Sequence, residues 1–105
     1  MNIHLYEFIL DYLFSTNNGN DMKWLDKKSG TFKVLNSRQI AKKWGKEKNK
    51  RKPMDWEKMS RAIRYYYKKG GLILHGGKRL EYRVNFENQK IQEYMAEKGY
   101  TKGEG

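Results

Sequence analysis

Hydrophobic residues recur with a helical period at the start of the chain. The apolar positions are spaced i, i+3, i+4, i+7 and i+8, and they are Leu5, Phe8, Ile9, Tyr12 and Leu13. This spacing gathers them on one side of a helix, so it predicts an amphipathic first helix. The Asn- and Gly-rich segment 15–21 is typical of a loop and ends this helix.

Two short apolar runs then indicate a β-hairpin. Met22–Leu25 and Thr31–Leu35 are predicted strands, and Asp26–Gly30 between them is predicted to form the turn.

A second helix is predicted to begin after this hairpin. Asn36 or Ser37 can cap it, because either side chain can accept the free backbone N–H groups of a first helical turn. Gly45 is predicted to end the helix. The buried side of the helix is predicted to consist of Ile40, Ala41 and Trp44.

A third helix is predicted from Asp55, its N-cap, to about Lys69. Pro53 prevents an earlier start, and Gly70–Gly71 stops the helix. A rotation of about 100° per residue defines its core face. On that basis the predicted core face consists of Met59, Ala62, Ile63 and Tyr66.

The remaining sequence predicts a second hairpin and one more helix. Leu72–Leu74 and Arg79–Val84 are the predicted strands, turned at Gly76–Gly77. Residues 86–98 are predicted to form an amphipathic helix, and the glycine-rich end 99–105 a flexible tail. The apolar side of this last helix consists of Ile91, Tyr94 and Met95.

The order of these elements predicts an α+β fold of the winged helix-turn-helix type. Three helices would pack on a small four-stranded antiparallel sheet in residues 1–85, with the C-terminal helix 86–98 appended. The loop between the second and third helices is longer than the 3–4 residues of a simple helix-turn-helix, which favours the winged variant.

Composition limits the chemistry available to the chain. It has 105 residues, which suits one domain, and it has no cysteine. His4 and His75 lie far apart, so neither a zinc site nor another metal site is expected. Asp55 and Glu57 diverge on a helix and do not pair as nuclease ligands would. We therefore expect no cofactor, no catalytic residue and no enzymatic activity.

Charge indicates a polyanionic partner. The chain carries 23 basic and 12 acidic residues, a net charge of +11. Nucleic acid and an anionic membrane surface are the two candidates. No apolar run approaches the roughly 20 residues of a membrane span, and residues 1–8 lack a signal-peptide pattern. We expect nucleic acid in the nucleus, since residues 42–52 also resemble a nuclear localisation signal.

Two arginines give the third helix a candidate reading function. Arg61 and Arg64 lie opposite the predicted core face, about 60° apart. The major groove admits one α-helix, and each guanidinium can donate two parallel bonds to guanine. Tyr65 beside them can contact a base edge. The alternative is a non-specific nucleic-acid or RNA-binding module, in which exposed tyrosines stack unpaired bases.

Three stretches resemble the ETS domain of transcription factors. They are Leu5–Leu10, Ile40–Lys46 and Trp56–Tyr67, the last reading WEKMSRAIRYYY. Gly77–Arg79 and Tyr82–Arg83 add the wing pattern of that family. The first helix and residues 22–24 look most like its epithelium-specific subgroup.

This resemblance implies a winged helix-turn-helix that binds double-stranded DNA around a GGA core, as a monomer. Arg61 and Arg64 match the arginines that read the guanines, and Tyr65 matches a residue at the flank of the core. The positions that match sugar–phosphate contacts are Leu5 (through its backbone N–H), Trp44, Lys48, Lys50, Trp56, Lys58, Lys78 and Arg79.

The sequence also departs from the family. Trp44 and Trp56 are separated by one residue more than is usual, which leaves the register of residues 48–52 open. The helix after Phe86 has no fixed counterpart. It can pack on the domain, inhibit it, or pair with a second molecule, and packing on the domain is the interpretation we favour.

Overall fold

The computed structural model describes residues 3–16, 19–48 and 54–102. Its elements follow the predicted order, and a short π-helical turn continues the third helix directly. They are α1 (Leu5–Thr16), β1 (Met22–Asp26), β2 (Thr31–Val34), α2 (Ser37–Glu47), α3 (Trp56–Tyr65), the π turn (Tyr66–Gly70), β3 (Ile73–His75), β4 (Glu81–Val84) and α4 (Gln89–Lys98).

The four strands form one antiparallel sheet in the order β1-β2-β4-β3. Phe32 of β2 pairs with Tyr82 of β4, and Val84 of β4 pairs with Ile73 of β3. Because side chains alternate along a strand, these residues all lie on one face of the sheet, and all of them are buried. The helices cover that face, which confirms the predicted α+β winged-helix architecture.

One continuous core joins the helices to the sheet. The apolar stripe of α1 is largely buried, as are the predicted inner residues of α2 and the centre of α3. Asp21, just before β1, is the one buried acidic residue of the described chain. Its carboxylate accepts a hydrogen bond from the Lys43 ammonium at 2.5 Å. Its backbone carbonyl accepts hydrogen bonds from the N–H groups of Leu35 and Asn36. A buried charge is thus paired, and it ties α2 to both strands of the first hairpin.

Gly45 does not end α2, which corrects the prediction from sequence. Asn36 caps the helix by accepting the Gln39 N–H at 3.0 Å, but the helix continues to Glu47. Gly45 is buried, and a Cβ there would lie 2.8 Å from the Cβ of Met54. The glycine therefore allows the segment before α3 to approach α2 closely, a requirement of packing rather than of termination.

The start and the end of α3 follow local chemistry. Asp55 caps the helix by accepting the Lys58 N–H at 2.9 Å. The α-helix gives way to the π turn at Tyr66, and Gly71 closes it in the left-handed region with φ +65°. Ala62 was predicted on the core face but is exposed, because it lies at the edge of the face set by Met59 and Ile63, and a methyl group is too short to reach inward.

The strands of the second hairpin are shifted from the predicted ones. β3 begins one residue later, at Ile73, and β4 begins at Glu81 rather than Arg79. Leu80 has φ +66°, which no strand residue adopts, so the turn extends through it.

Helix α4 packs on α1. It begins at Gln89 rather than Phe86, because Asn88 is its cap and accepts the N–H groups of Lys90 and Ile91. Its predicted apolar side is buried, and the Tyr94 hydroxyl donates to the Asp11 carboxylate of α1 at 2.8 Å.

The predicted flexible tail is wrong at Tyr100. Its hydroxyl also donates to Asp11, at 2.7 Å, and its ring stacks on Phe14 with centroids 4.6 Å apart. One carboxylate therefore holds both α4 and the residue that follows its end. In the described part of the chain, no helix is both long and apolar enough to cross a membrane.

Removing the Tyr94 hydroxyl tests this anchor. Tyr94→Phe should lower the free energy of unfolding by about 1.5–3 kcal/mol, the usual worth of a hydrogen bond to a charged group. Tyr65→Phe is the matched control, since Tyr65 is 61% exposed and should change stability by less than about 0.5 kcal/mol. Urea unfolding measures both, and equal small effects would contradict the anchoring role.

The same anchor predicts a loss of stability in alkali. Burial, the hydrogen bond to Asp11 and the charge of that carboxylate raise the pKa of Tyr94 well above 10. Between the unfolded and the folded pKa, only the unfolded state releases the proton. The stabilisation is therefore complete below about pH 10 and is lost as the pH rises further. Urea unfolding measured at a series of pH values should show that the free energy of unfolding falls above about pH 10, and that it falls less steeply in Tyr94→Phe.

Candidate nucleic-acid interface

Helix α3 presents a basic face to solvent. Met59 and Ile63 are fully buried, whereas Arg61, Arg64 and Tyr65 are exposed. Residues three and four apart are surface neighbours on a helix, so both Arg64 and Tyr65 adjoin Arg61. The structure therefore brings all three predicted base-reading residues onto one outward surface.

A carboxylate accompanies the first of these arginines. The Arg61 guanidinium lies 3.1 Å from the Glu57 carboxylate one turn earlier, and the two side chains are 68% and 79% exposed. An exposed pair of this kind is worth about 0–1 kcal/mol, so it orients the arginine without holding it firmly. The prediction from sequence did not include Glu57, although its i,i+4 spacing was a signal.

The turn that follows α3 packs on the sheet through aromatic rings. The Tyr67 ring lies 5.5 Å from the His75 ring of β3, which lies 6.1 Å from the Tyr82 ring of β4. Burial and the nearby Tyr67 raise the pKa of Tyr82, and the positive charge of Arg64 opposes that rise. Sequence reasoning missed these three supporting rings.

The turn between β3 and β4, residues 76–80, is the wing turn. Gly76 passes so close to the backbone of Glu81 that a Cβ would lie 2.8 Å from its carbonyl carbon. The Gly77 N–H donates to His75 Nδ1 at 2.9 Å, with Gly77 at φ +93°. This tight turn leaves Lys78 and Arg79 exposed at its tip.

The predicted backbone-contacting tryptophans belong mainly to the core. Trp44 is 4% exposed, and its ring lies 5.3 Å from that of Phe8. The Lys48 ammonium lies 5.4 Å above the Trp44 ring, so the tryptophan positions a cation at the end of α2. Trp56, the first residue of α3, is half-buried against the core, and Lys58 after it is exposed. Lys50 lies outside the described residues.

The start of α1 is occupied by two protein groups. The Leu5 side chain is buried, which leaves only its backbone for an outside contact. The His4 N–H donates to Glu7 Oε1 at 2.8 Å, and the Tyr6 N–H donates to the Tyr66 hydroxyl at 3.2 Å. Burial raises the pKa of Tyr66, and the hydrogen bonds that its hydroxyl accepts from this backbone offset only part of that rise. Sequence reasoning placed Tyr66 in the core but missed this bond.

In residues 3–16, 19–48 and 54–102, no group of three or more histidine and carboxylate side chains is arranged to hold a metal ion. Positive charge is concentrated on α3, at Arg61 and Arg64, and on the wing turn, at Lys78 and Arg79.

Comparison with known proteins gives a family. The Ets-domain family model matches residues 2–85. The chain is 47% identical over 81 residues to the mouse (Mus musculus) "ETS homologous factor". The aligned residues make up 76% of this chain and 27% of that protein. It is 43% identical over 81 residues to the human (Homo sapiens) "ETS-related transcription factor Elf-2", covering 76% of this chain and 14% of that protein.

A third relative is the "DNA-binding protein D-ETS-4" of Drosophila melanogaster, 46% identical over 69 residues, 65% of this chain and 13% of that protein. The chain thus spans about a quarter or less of the length of these relatives. Helix α4 lies beyond the residues that the family model matches. The chain belongs to the ETS-domain family of transcription factors.

Proposed function

We propose that this chain is a sequence-specific DNA-binding domain that reads a GGA core in the major groove through α3. The observation that carries this proposal is the pair Arg61 and Arg64 on the exposed face of a helix whose back is fixed by Met59 and Ile63. Each guanidinium offers a planar pair of donors that matches O6 and N7 of guanine, and lysine lacks this geometry. Tyr65 would contact the flank of the core.

Cations around α3 would hold the phosphates. Lys58 lies at the start of α3, Lys48 at the end of α2, and Lys78 and Arg79 at the wing turn. Contacts to phosphate position a protein without specifying sequence. We also assign this role to Lys50, which lies between α2 and α3 in the sequence, to the indole edges of Trp44 and Trp56, and to the backbone N–H of Leu5.

The way in which these parts are joined supports binding as a monomer. The Tyr67–His75–Tyr82 rings connect the end of α3 to the strands that carry the wing turn. One molecule therefore presents both the reading helix and a phosphate-binding turn. A nuclear location is consistent with this function and with the basic segment 42–52.

A module that stacks unpaired bases is less well supported. Tyr66 packs against α1, and its hydroxyl accepts a hydrogen bond from the Tyr6 N–H. Tyr67 packs on His75. Of the three consecutive tyrosines, Tyr65 alone is well exposed, which is too little for the row of rings that stacking requires.

Replacing Arg64 tests base reading. Arg64→Ala should weaken binding to a GGA duplex by about 1–3 kcal/mol, roughly 5- to 150-fold, because two bonds to guanine are lost. Binding to a duplex without GGA should change little. Arg38→Ala removes the same charge from an exposed position on α2 and should not discriminate between the duplexes. Fluorescence anisotropy at fixed salt measures the affinities of the unchanged chain and of both variants for both duplexes, and an equal loss of affinity on both duplexes in Arg64→Ala would refute base reading by Arg64.

Replacing Lys78 tests the role of the wing turn. Lys78→Ala should weaken binding to every duplex and reduce the slope of log K against log salt by about one, because one phosphate contact is lost. Lys28→Ala, in the turn between β1 and β2, is an exposed lysine control that should leave the slope unchanged. Titrations between about 50 and 200 mM salt give the slopes. An unaltered slope for Lys78→Ala would mean that this lysine contacts no phosphate.

A further inference from the structure

A groove of about 910 Å³ runs between the start of α1, the end of α3 and α4. Its lining combines tyrosines with carboxylates, and it includes Tyr6, Tyr65, Tyr66, Glu7, Glu93 and Glu97. This is the reverse of the surrounding surface, since the chain as a whole carries a net charge of +11. Of the residues proposed to contact DNA, Tyr65 lines this groove, but the carboxylates of the groove have no role in that proposal.

The aromatic wall of the groove is fixed in place. The Tyr6 ring meets the rings of Tyr66 and Tyr94 edge to face, with centroids 6.2 and 6.1 Å apart. Tyr65 stands at the mouth of the groove and is 61% exposed. The faces of such rings attract ammonium and guanidinium groups. The Lys98 ammonium lies 5.7 Å from the centre of the Tyr94 ring, which illustrates this attraction.

The acidic wall is directed at the same place. Glu93 and Glu97 are exposed on α4, and no cation of the described residues lies within 4.0 Å of either carboxylate. Burial first, and then the charges of Glu7, Glu93 and Glu97, raise the pKa of Tyr6. The three carboxylates therefore line the same groove as Tyr6 and act on its hydroxyl through their charge. Lys90 is the one lysine that lines the groove, so negative charge predominates there.

We propose that this groove is a docking site for a lysine- or arginine-rich peptide segment of a partner protein. Cationic side chains would lie between the tyrosine rings and the two glutamates of α4. Charge complementarity favours this occupant over a nucleic acid, whose phosphates the carboxylates repel. It also favours it over a second copy of the chain, because two molecules of charge +11 repel each other.

The site goes beyond DNA binding but lies next to it. Tyr65 belongs both to the mouth of the groove and to the exposed face of α3. A peptide bound here would contact the protein beside the proposed DNA surface without covering Arg61 or Arg64.

The test uses the whole 105-residue chain, labelled with ¹⁵N, and two synthetic octapeptides. One peptide alternates arginine with glycine, and the other alternates glutamate with glycine. The arginine peptide should shift the amide signals of Tyr6, Tyr65 and Glu93, and its affinity should fall as salt is added. Shifts confined to other surfaces, or preference for the glutamate peptide, would overturn the proposal.

Charge-neutral variants identify the groups responsible. Glu93→Gln with Glu97→Gln should weaken binding of the arginine peptide about fivefold, as expected for the loss of two exposed charge pairs. Glu81→Gln with Glu87→Gln changes the net charge equally outside the groove and should leave the affinity within about twofold. Equal weakening by both double variants would reduce the effect to non-specific attraction and refute the site.

Two further measurements separate the alternatives. Sedimentation that shows self-association abolished by the Glu93 and Glu97 substitutions would assign the groove to a second copy and overturn the proposal. A monomer at all concentrations supports it. Titration with a GGA duplex is scored separately, so that failure of peptide docking and failure of DNA recognition are distinguishable.

Discussion

The burial of Met59 and Ile63 is the constraint on which the rest of this surface depends. Both side chains are fully buried between α3 and the core, and each contributes about 1.5–3 kcal/mol by leaving water. A rotation of α3 by one residue would expose them and turn an arginine toward the core, where an uncompensated charge is very costly. The rotation of α3 is thus fixed by apolar packing. The outward direction of Arg61 and Arg64 is a consequence of that packing and needs no interaction of their own.

The tyrosines after α3 connect this helix to the rest of the fold. The π turn that begins at Tyr66 changes the angular step between residues, and its geometry lets Tyr66 reach α1 while Tyr67 reaches His75 on β3. One helix is thereby tied both to the N-terminal helix and to the strands of the wing. A substitution at Tyr67 or His75 would therefore alter the angle between the exposed face of α3 and the wing turn, although neither residue is proposed to contact DNA.

Sequence patterns predicted what local chemistry determines. The stripe of α1, the cap at Asp55 and the side of α3 that carries the arginines all follow from the spacing of neighbouring residues. The errors arose where distant residues decide. Gly45 depends on the approach of Met54, Tyr100 depends on a carboxylate 89 residues earlier, and the bond from Tyr6 to Tyr66 spans 60 residues. The side of α3 on which Arg61 and Arg64 lie was therefore accessible to sequence reasoning, whereas the contacts that support it were not.

The two surfaces to which we assign functions lie in different parts of the chain. The basic face of α3 lies within the residues shared with the family, whereas Glu93 and Glu97 lie on α4, beyond them. Asp11 is the link, because it accepts hydrogen bonds from Tyr94 and Tyr100 and so holds the acidic helix against α1. An element outside the shared domain thus converts the neighbourhood of Tyr6 from the start of a helix into one wall of an acidic groove. Substitutions on α4 can therefore alter that groove while the packing of Met59 and Ile63, and with it the outward direction of Arg61 and Arg64, stays unchanged.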